Sequence, residues 1–510
     1  MVDALIFQIA GVSRYERRKY RVESDESGTE VIYEEVFSST AVARHLLDSG
    51  KASTVKIIFL VPDTILADPN IGCYMGKFIE MVESGDVRGL EELTVRACKE
   101  YMRKNSHIRD LCGDNLKYEF VGMKGMGSYT LKNNSLEEYK VVFRRTDEDI
   151  TFNIYKIILD ILDCKREGGR KIYIDISTGW NNYIPLMLDA VSTYITFDKL
   201  RTLGDSDRRF HLIISEPGGR GVDNALNIYI REFDTRVLFK WPSKEELRIY
   251  QRSIMKRDGE GGGDDRNDEK EDIFKNASHF LSTGRKLYNS IIYNIPLLLF
   301  KDAFEDGGII NFEYARRGFE ILVKVTNTLS NNMVDKVRIG DMGFEITPRN
   351  HVIWHIYKNF VTTVGIIDGL VNKLQLPLED PYIEVVYNDD NDYKVQHSFE
   401  KIMDIYSNDI VGRDINKRFL EKDINDLASY IGKLKTKSWV KYSSLDKMDR
   451  CYGGDNKKIH VMSSDSKRNF FAHSGLSKDH LLLKRCGNRI LLRYDTIRKR
   501  EIEGFIKNPK

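Results

Sequence analysis

The sequence predicts an α/β layered N-terminal half followed by a mainly α-helical C-terminal half, and three observations carry that expectation. Short β-prone runs bounded by turn residues recur over the first 235 residues: Ala4 to Ala10, Val55 to Val61, Tyr118 to Val121, Lys171 to Ile176, His211 to Ser215 and Asn227 to Phe233. Between them, Arg88 to Lys104 and Asp149 to Cys164 place apolar residues three and four apart, the spacing of helices packed on a sheet. Beyond a glycine-rich charged run, Phe274 to Phe304, Asn311 to Leu329, Pro348 to Leu374, Val395 to Ile410 and Asn416 to Leu434 all carry helical spacing.

The strands at Ile57-Ile58-Phe59-Leu60-Val61 and Ile172-Tyr173-Ile174-Asp175-Ile176 are nearly continuous in apolar or β-prone residues. Such runs belong to parallel sheets covered on both faces, so a Rossmann-like arrangement is expected for residues 1–235. From Lys256 to Asp272, Gly259, Gly261, Gly262 and Gly263 sit in alternating charge with almost nothing to bury, and a mobile loop is expected. That loop lies in a linker and helical region, 236–345, which precedes a helical domain over 346–510. Asp341 to Thr347, Tyr382 to Tyr387 and Arg489 to Tyr494 are expected to add short strands or hairpins.

Composition bounds the function classes. The chain has 510 residues, 41% hydrophobic and 31% charged, enough apolar material for two or three cores. The longest apolar run, Ile295 to Phe300, is far short of the roughly 20 residues that cross a bilayer. Met1 to Gly11 reads as a first strand rather than a secretory leader, and the six cysteines include no CxxC pair, so a reduced, cytoplasmic setting is expected. The net charge is only +2, but Ser466 to Lys510 holds twelve Lys/Arg against four Asp/Glu. A local excess of that kind attracts a phosphate backbone or simply keeps a tail solvated.

Two familiar nucleotide sites are missing. The first strand is followed by Ala10-Gly11-Val12-Ser13-Arg14-Tyr15 instead of GxGxxG, and no GxxxxGK[ST] occurs. Ligands of open α/β sheets bind at the C-terminal strand edge, which here carries Gly11 and Ser13 and the run Asp175-Ile176-Ser177-Thr178-Gly179-Trp180-Asn181-Asn182-Tyr183. That run offers a carboxylate, hydroxyls, a turn glycine, a stacking ring and an amide just before a helix, and it also reads as an ordinary capped junction. His351 and His355 share one helical face, but Val352-Ile353-Trp354 lacks the glutamate of HExxH, so no metal is expected there.

The sharpest local signal is Arg468-Asn469-Phe470-Phe471-Ala472-His473. An imidazole titrating near neutrality can take a proton from a ribose 2′-OH or return one to a leaving 5′-oxygen, while a guanidinium neutralises the phosphoryl oxygens; that chemistry needs no metal. Asn469 and His473 lie four apart on one face, whereas Arg468 must sit at the helix start or reach around, with Ser464, Asp465 and Ser466 available as caps. The bland reading is a capped helix with His473 on the surface. One such set holds a single histidine, and a two-fold dimer would supply the second.

These residues resemble the CRISPR-associated accessory ribonucleases of type III systems, which join a CARF domain to a HEPN nuclease domain. Arg468 and His473 match the R-x4-H motif of HEPN nucleases, with the frequent Asn after the Arg at Asn469; Asp175 to Asn181 looks like the D-[IL]-[TS]-x-G-x-N motif of CARF domains, and Ile9-Ala10-Gly11 with Ser13 looks like its ligand loop. The resemblance implies a homodimer, able to assemble further, that binds a cyclic oligoadenylate, with cyclic tetra-adenylate the expected ring, and then cuts single-stranded RNA. It implies His473 as general acid/base, Arg468 as phosphate-stabilising cation and Asn469 as orienting amide. Gly11, Ser13, Ser177, Thr178, Gly179, Trp180 and Asn181 would line the activator pocket, with Asp175 supporting the turn and a helix-turn-helix-like module between the domains. Trp180 departs from the smaller aliphatic usual there. The alternative from a different class is a ligand-responsive, nucleotide-sensing transcriptional regulator whose middle helices contact DNA.

Overall fold

The computed structural model describes residues 2–507 except 13–15, 24–30, 86, 88, 106–113, 133–137, 166–169, 178–181, 217–223, 238–240, 244, 247, 250–263, 341–342, 388–392, 412, 435–437 and 446–465. At its centre β1 (Ala4–Ile9), all six residues buried, sends alternate side chains into two cores. Leu5, Phe7 and Ile9 join one; Ala4 and Ile6 join the other. The outer strands of this eight-stranded sheet on one side are β2 (Arg18–Val22) and β3 (Val31–Glu35), followed in the chain by α1 (Ser38–Asp48) and β4 (Val55–Pro62). Next come α2 (Cys73–Glu83), α3 (Leu90–Asn105), β5 (Leu116–Met123), and the hairpin β6 (Gly127–Lys132) and β7 (Glu138–Phe143). The half closes with α4 (Asp147–Leu159), β8 (Lys171–Asp175), α5 (Ile184–Thr202), β9 (Arg209–Ser215) and β10 (Leu226–Glu232).

The sheet order is β3-β2-β10-β9-β8-β1-β4-β5. Strands β9, β8, β1, β4 and β5 run parallel, β10 is antiparallel to β9, and β2 and β3 complete the edge. Residues from α4 and α5 share the core of Leu5 and Phe7, while α1 shares that of Ala4 and Ile6. The N-terminal half is therefore a Rossmann-like layered domain whose parallel strands all end on the edge that carries Gly11, Asp175 and Ser177.

The second half begins with α6 (Asp264–Ile292), so residues 264–272, expected to be loop, are helical; this polar stretch prolongs a helix whose apolar part then packs from Ile273 onward. Residues 256–263 of the expected loop lie outside the described residues. After α7 (Phe312–Arg316) and α8 (Gly318–Asn332), a hairpin forms from β11 (Asp335–Gly340) and β12 (Gly343–Pro348). Strand β12 pairs in parallel with β7 of the first half, giving a second sheet of order β11-β12-β7-β6. The boundary expected at 345 thus falls inside a strand.

Helix α9 (Trp354–Leu374) is the spine of the remainder, which adds β13 (Tyr382–Tyr387), β14 (Tyr393–His397), α10 (Glu400–Tyr406), α11 (Asp414–Ala428) and β15 (Val440–Lys441). It ends with α12 (Ser466–Ala472), β16 (Leu481–Cys486), β17 (Arg489–Tyr494) and α13 (Lys499–Lys507). This region is mainly helical, and its strands form one antiparallel sheet, β14-β13-β17-β16-β15. The strands expected at 341–347, 382–387 and 489–494 are β12, β13 and β17. Among the described residues no helix is long and apolar enough to cross a membrane.

Helix α9 lies directly on α5. Tyr357 packs edge-on to Phe152 of α4 at 4.9 Å between centroids, and Trp354 donates its indole N–H to Asp189 at 2.6 Å. Further along, Gly365 and Gly369 face the backbone of α5: a Cβ on Gly365 would meet the Phe197 carbonyl oxygen at 3.0 Å, and one on Gly369 would collide with that of Leu200. In an unobstructed helix, Gly to Ala stabilises by about 1 kcal/mol. Here Gly369→Ala should have the opposite sign, lowering the unfolding free energy in urea by about 1–3 kcal/mol through overpacking; a stabilised variant would refute the close contact.

Candidate functional site

The sheet edge comes first in the chain. Asp175, the last residue of β8, is completely buried. Its carboxylate accepts from the Ser38 hydroxyl at 2.6 Å and from the Ser177 backbone N–H at 2.8 Å. The Ser177 hydroxyl in turn accepts from the Ser215 N–H at 2.8 Å and donates to the Ile213 carbonyl at 3.3 Å. Burial pushes the Asp175 carboxyl up from its usual range, and the Ser38 and Ser177 hydrogen bonds oppose that push. Asp175 therefore works from below the turn, tying β8, β9 and the start of α1 together. Gly11 is buried at the end of β1, the parallel neighbour of β8. Ser13, Thr178, Gly179, Trp180 and Asn181 lie outside the described residues.

The ends of β4 and β5 bring a charge cluster to the same edge that the sequence reading missed. The wholly buried Arg145 side chain meets Asp63 at 2.7 Å and Asp335 at 2.9 Å, and donates to the Gly125 carbonyl at 2.7 Å. Lys124 reaches Asp335 at 3.3 Å and the Met333 carbonyl at 2.6 Å. Burial pushes the Asp335 carboxyl up, but Arg145 and Lys124 bring it below the usual range; for Asp63, burial wins over Arg145 and the group stays raised. Asp335 opens β11, so this cluster ties the strand ends to the second half of the chain.

The second constellation is local. Helix α12 starts at Ser466 and ends at Ala472, which places Arg468 in its first turn and His473 just beyond its end. Ser464 and Asp465 lie outside the described residues. Arg468 and Asn469 are exposed, and Arg468 makes no ion pair among the described residues. The His473 N–H donates to the Asn469 carbonyl at 3.1 Å, one residue past the helix. The chain then turns through the left-handed region at Ser474 (φ 49°) and Gly475 (φ 68°), and the Gly475 N–H closes on the Phe470 carbonyl at 2.8 Å. A Cβ on Gly475 would approach Ile295 and the Tyr494 hydroxyl to 2.7 Å, so both the turn and the packing call for glycine.

Two elements hold this corner. Below α12, Phe470 is buried against His480, Tyr494 and Phe505. Ser466 donates to Glu501 of α13 at 3.0 Å, and buried His480 accepts or donates at Nδ1 with Ser477 at 2.7 Å, its Nε2 lying 3.7 Å from Glu501. Beside it, Asp423 of α11 sits 3.4 Å from His473 Nδ1. The His473 side chain is 58% exposed and that of Asp423 only 11%. Asp423 was not singled out from the sequence, because its partner is fifty residues away.

The remaining pair faces the first turn of α4. His351 Nδ1 is 2.7 Å from Asp149, and His355 lies 4.0 Å from Glu148. Among the described residues no three His, Cys, Asp or Glu side chains are grouped to hold a metal ion.

Two family models match parts of the chain. A family model described as the CARF domain of the CRISPR system endoribonuclease Csx1 matches residues 5–217, and one described as the HEPN domain of the same endoribonuclease matches 407–499. No curated protein matches the chain.

Burial holds the His480 imidazole below its ordinary pKa of 6.5, so the folded protein resists the proton that the unfolded chain accepts. Its contribution to stability is complete above that value and is lost as pH falls through it. The melting temperature of His480→Gln should therefore fall less than the parent's between about pH 7.5 and 5.5. Equal slopes in a dye-monitored melt would contradict this.

Proposed function

This chain belongs to the CRISPR-associated CARF–HEPN endoribonuclease family of Csx1, and from that premise we propose that it is a cyclic-oligoadenylate-activated, metal-independent nuclease for single-stranded RNA. The sensing part lies within 1–235 and the nuclease within 346–510, acting in the cytoplasm. The observation that carries the reading is the exposed Arg468–Asn469–His473 set on one short helix and the residue that follows it, with the imidazole open to solvent on one side and backed by a carboxylate on the other.

In the proposed reaction, the RNA 2′-oxygen attacks the adjacent phosphorus and gives its proton to one His473. The bond to the 5′-oxygen breaks, and that oxygen takes a proton from a second imidazole. The products are a 2′,3′-cyclic phosphate end and a 5′-hydroxyl end. Arg468 offsets the charge that builds on the phosphoryl oxygens, and Asn469 orients the ring or the phosphate. Proton transfer and charge neutralisation are both supplied by side chains, so no metal ion is needed for the step.

Because one chain brings one such histidine, the working form is a two-fold pair. Ile415 and Phe419 support this: they lie 57% and 48% exposed on α11, the helix that presents Asp423 to His473. Apolar side chains left uncovered beside a polar site suit a self-complementary contact. At the other end, Gly11, Ser13, Ser177, Thr178, Gly179, Trp180 and Asn181 would receive the cyclic tetra-adenylate, with Asp175 holding their turn.

A fluorescent single-stranded RNA should be cut only when cyclic tetra-adenylate is added, with the same rate in EDTA. His473→Ala should cut about 10²–10⁴-fold more slowly while eluting as the same dimer. An active His473→Ala protein would remove the catalytic assignment, and cleavage without any ring would remove the activator.

A further inference from the structure

We propose that Asp423 is the positioning residue of the nuclease site: it holds the proton of the His473 imidazole on Nδ1 and so reserves Nε2 for exchange with RNA. The inference rests on the nuclease reading and names a residue outside the Arg468–His473 motif.

The geometry points one way. Asp423 Oδ1 faces Nδ1 at 3.4 Å, whereas most of the His473 side chain is open to solvent. An ionised carboxylate only accepts hydrogen bonds, so the nitrogen turned towards it is the one that carries hydrogen. The opposite nitrogen then presents a lone pair to the outside, which is what a base facing a ribose hydroxyl requires. A separation of 3.4 Å is at the long end for such a bond, and contacts of this kind shorten when substrate fills the site.

Energetics make the placement informative. Asp423 is 8% exposed, so its carboxylate is largely withdrawn from water. Burial pushes its carboxyl up, with Ser474 and His473 opposing the push. A purely structural role would favour an uncharged side chain at such a position, because withdrawing a carboxylate from water costs stability. The cost is explained if the charge acts on His473.

The two partners are also held in register. Asn294, itself in the left-handed region (φ 57°), donates through Nδ2 to the Ser474 hydroxyl at 2.9 Å and to the Asn416 carbonyl at 3.2 Å. Ser474 follows His473 directly, and Asn416 lies in the first turn of the helix that carries Asp423. One buried amide thus fixes the imidazole's own backbone corner and the carboxylate's helix against each other. The backbone corner that carries the ring cannot move away from the helix of Asp423 without breaking one of these contacts.

The test uses the full-length dimer with activator. Asp423→Asn should lower kcat by about 10²–10⁴-fold with KM nearly unchanged, and Asp423→Glu should recover part of the loss. In ¹⁵N spectra the parent's neutral His473 should carry its proton on Nδ1, and in Asp423→Asn it should move towards the Nε2–H form that free imidazole prefers. Should Asp423→Asn melt early, the Glu variant and the spectra decide. Full kcat in Asp423→Asn, or an Nε2–H ring in the parent, overturns the proposal while an inactive His473→Ala keeps the nuclease reading. An active His473→Ala overturns both.

Discussion

The molecule depends on how closely α5 and α9 lie. Gly365 and Gly369 leave the α9 backbone bare at the points where the Phe197 and Leu200 carbonyls approach, so the two helices touch main chain rather than side chain. Tyr155, Tyr194, Phe197, Tyr357, Phe360 and Val364 consequently belong to one continuous core that runs from the Rossmann-like sheet into the helical half. Without that seam, the sheet-covering helices and the helical half would lose their closest line of contact.

Helix α5 also links the two matched segments. It starts at Ile184 in the first, and past its last turn the Leu203 carbonyl accepts from Asn408 at 2.8 Å, inside the segment that matches the HEPN family. Nineteen helical residues span about 28 Å. A second tie runs from the opposite flank of the edge, where the Arg145 cluster grips Asp335 and hence β11. An arginine shared by two buried carboxylates is satisfied only while all three groups stay in place, which makes this contact hold or fail as a unit.

What was legible in the sequence is what short spacing encodes. β1, β4 and β8 show as apolar runs because both of their faces are covered, and α12 shows because Arg468, Asn469 and His473 lie within two turns. β2 was not legible: near the edge of the sheet, Arg18, Lys19 and Arg21 leave only Tyr20 and Val22 as an apolar alternation, too short to stand out. β11 is hidden for the same reason, four of its six residues being exposed. Asp423 and Arg145 were invisible for a different reason, since each acquires its meaning from partners fifty to nearly two hundred residues away, and such pairings exist only after folding. The glycines of the seam carried no local mark either, because Gly in a helix signals close approach only when the neighbour is known.

The pairing of β12 with β7 has a consequence for modularity. Families recognise two blocks, 5–217 and 407–499, yet the stretch between them supplies α9, the hairpin and Asp335. Half of the four-stranded sheet comes from each side of any cut placed between residue 217 and Asp335. Excising the first block would strip β7 of its neighbour and leave Arg145 with one carboxylate, so the two inherited units travel together as an indivisible piece of protein.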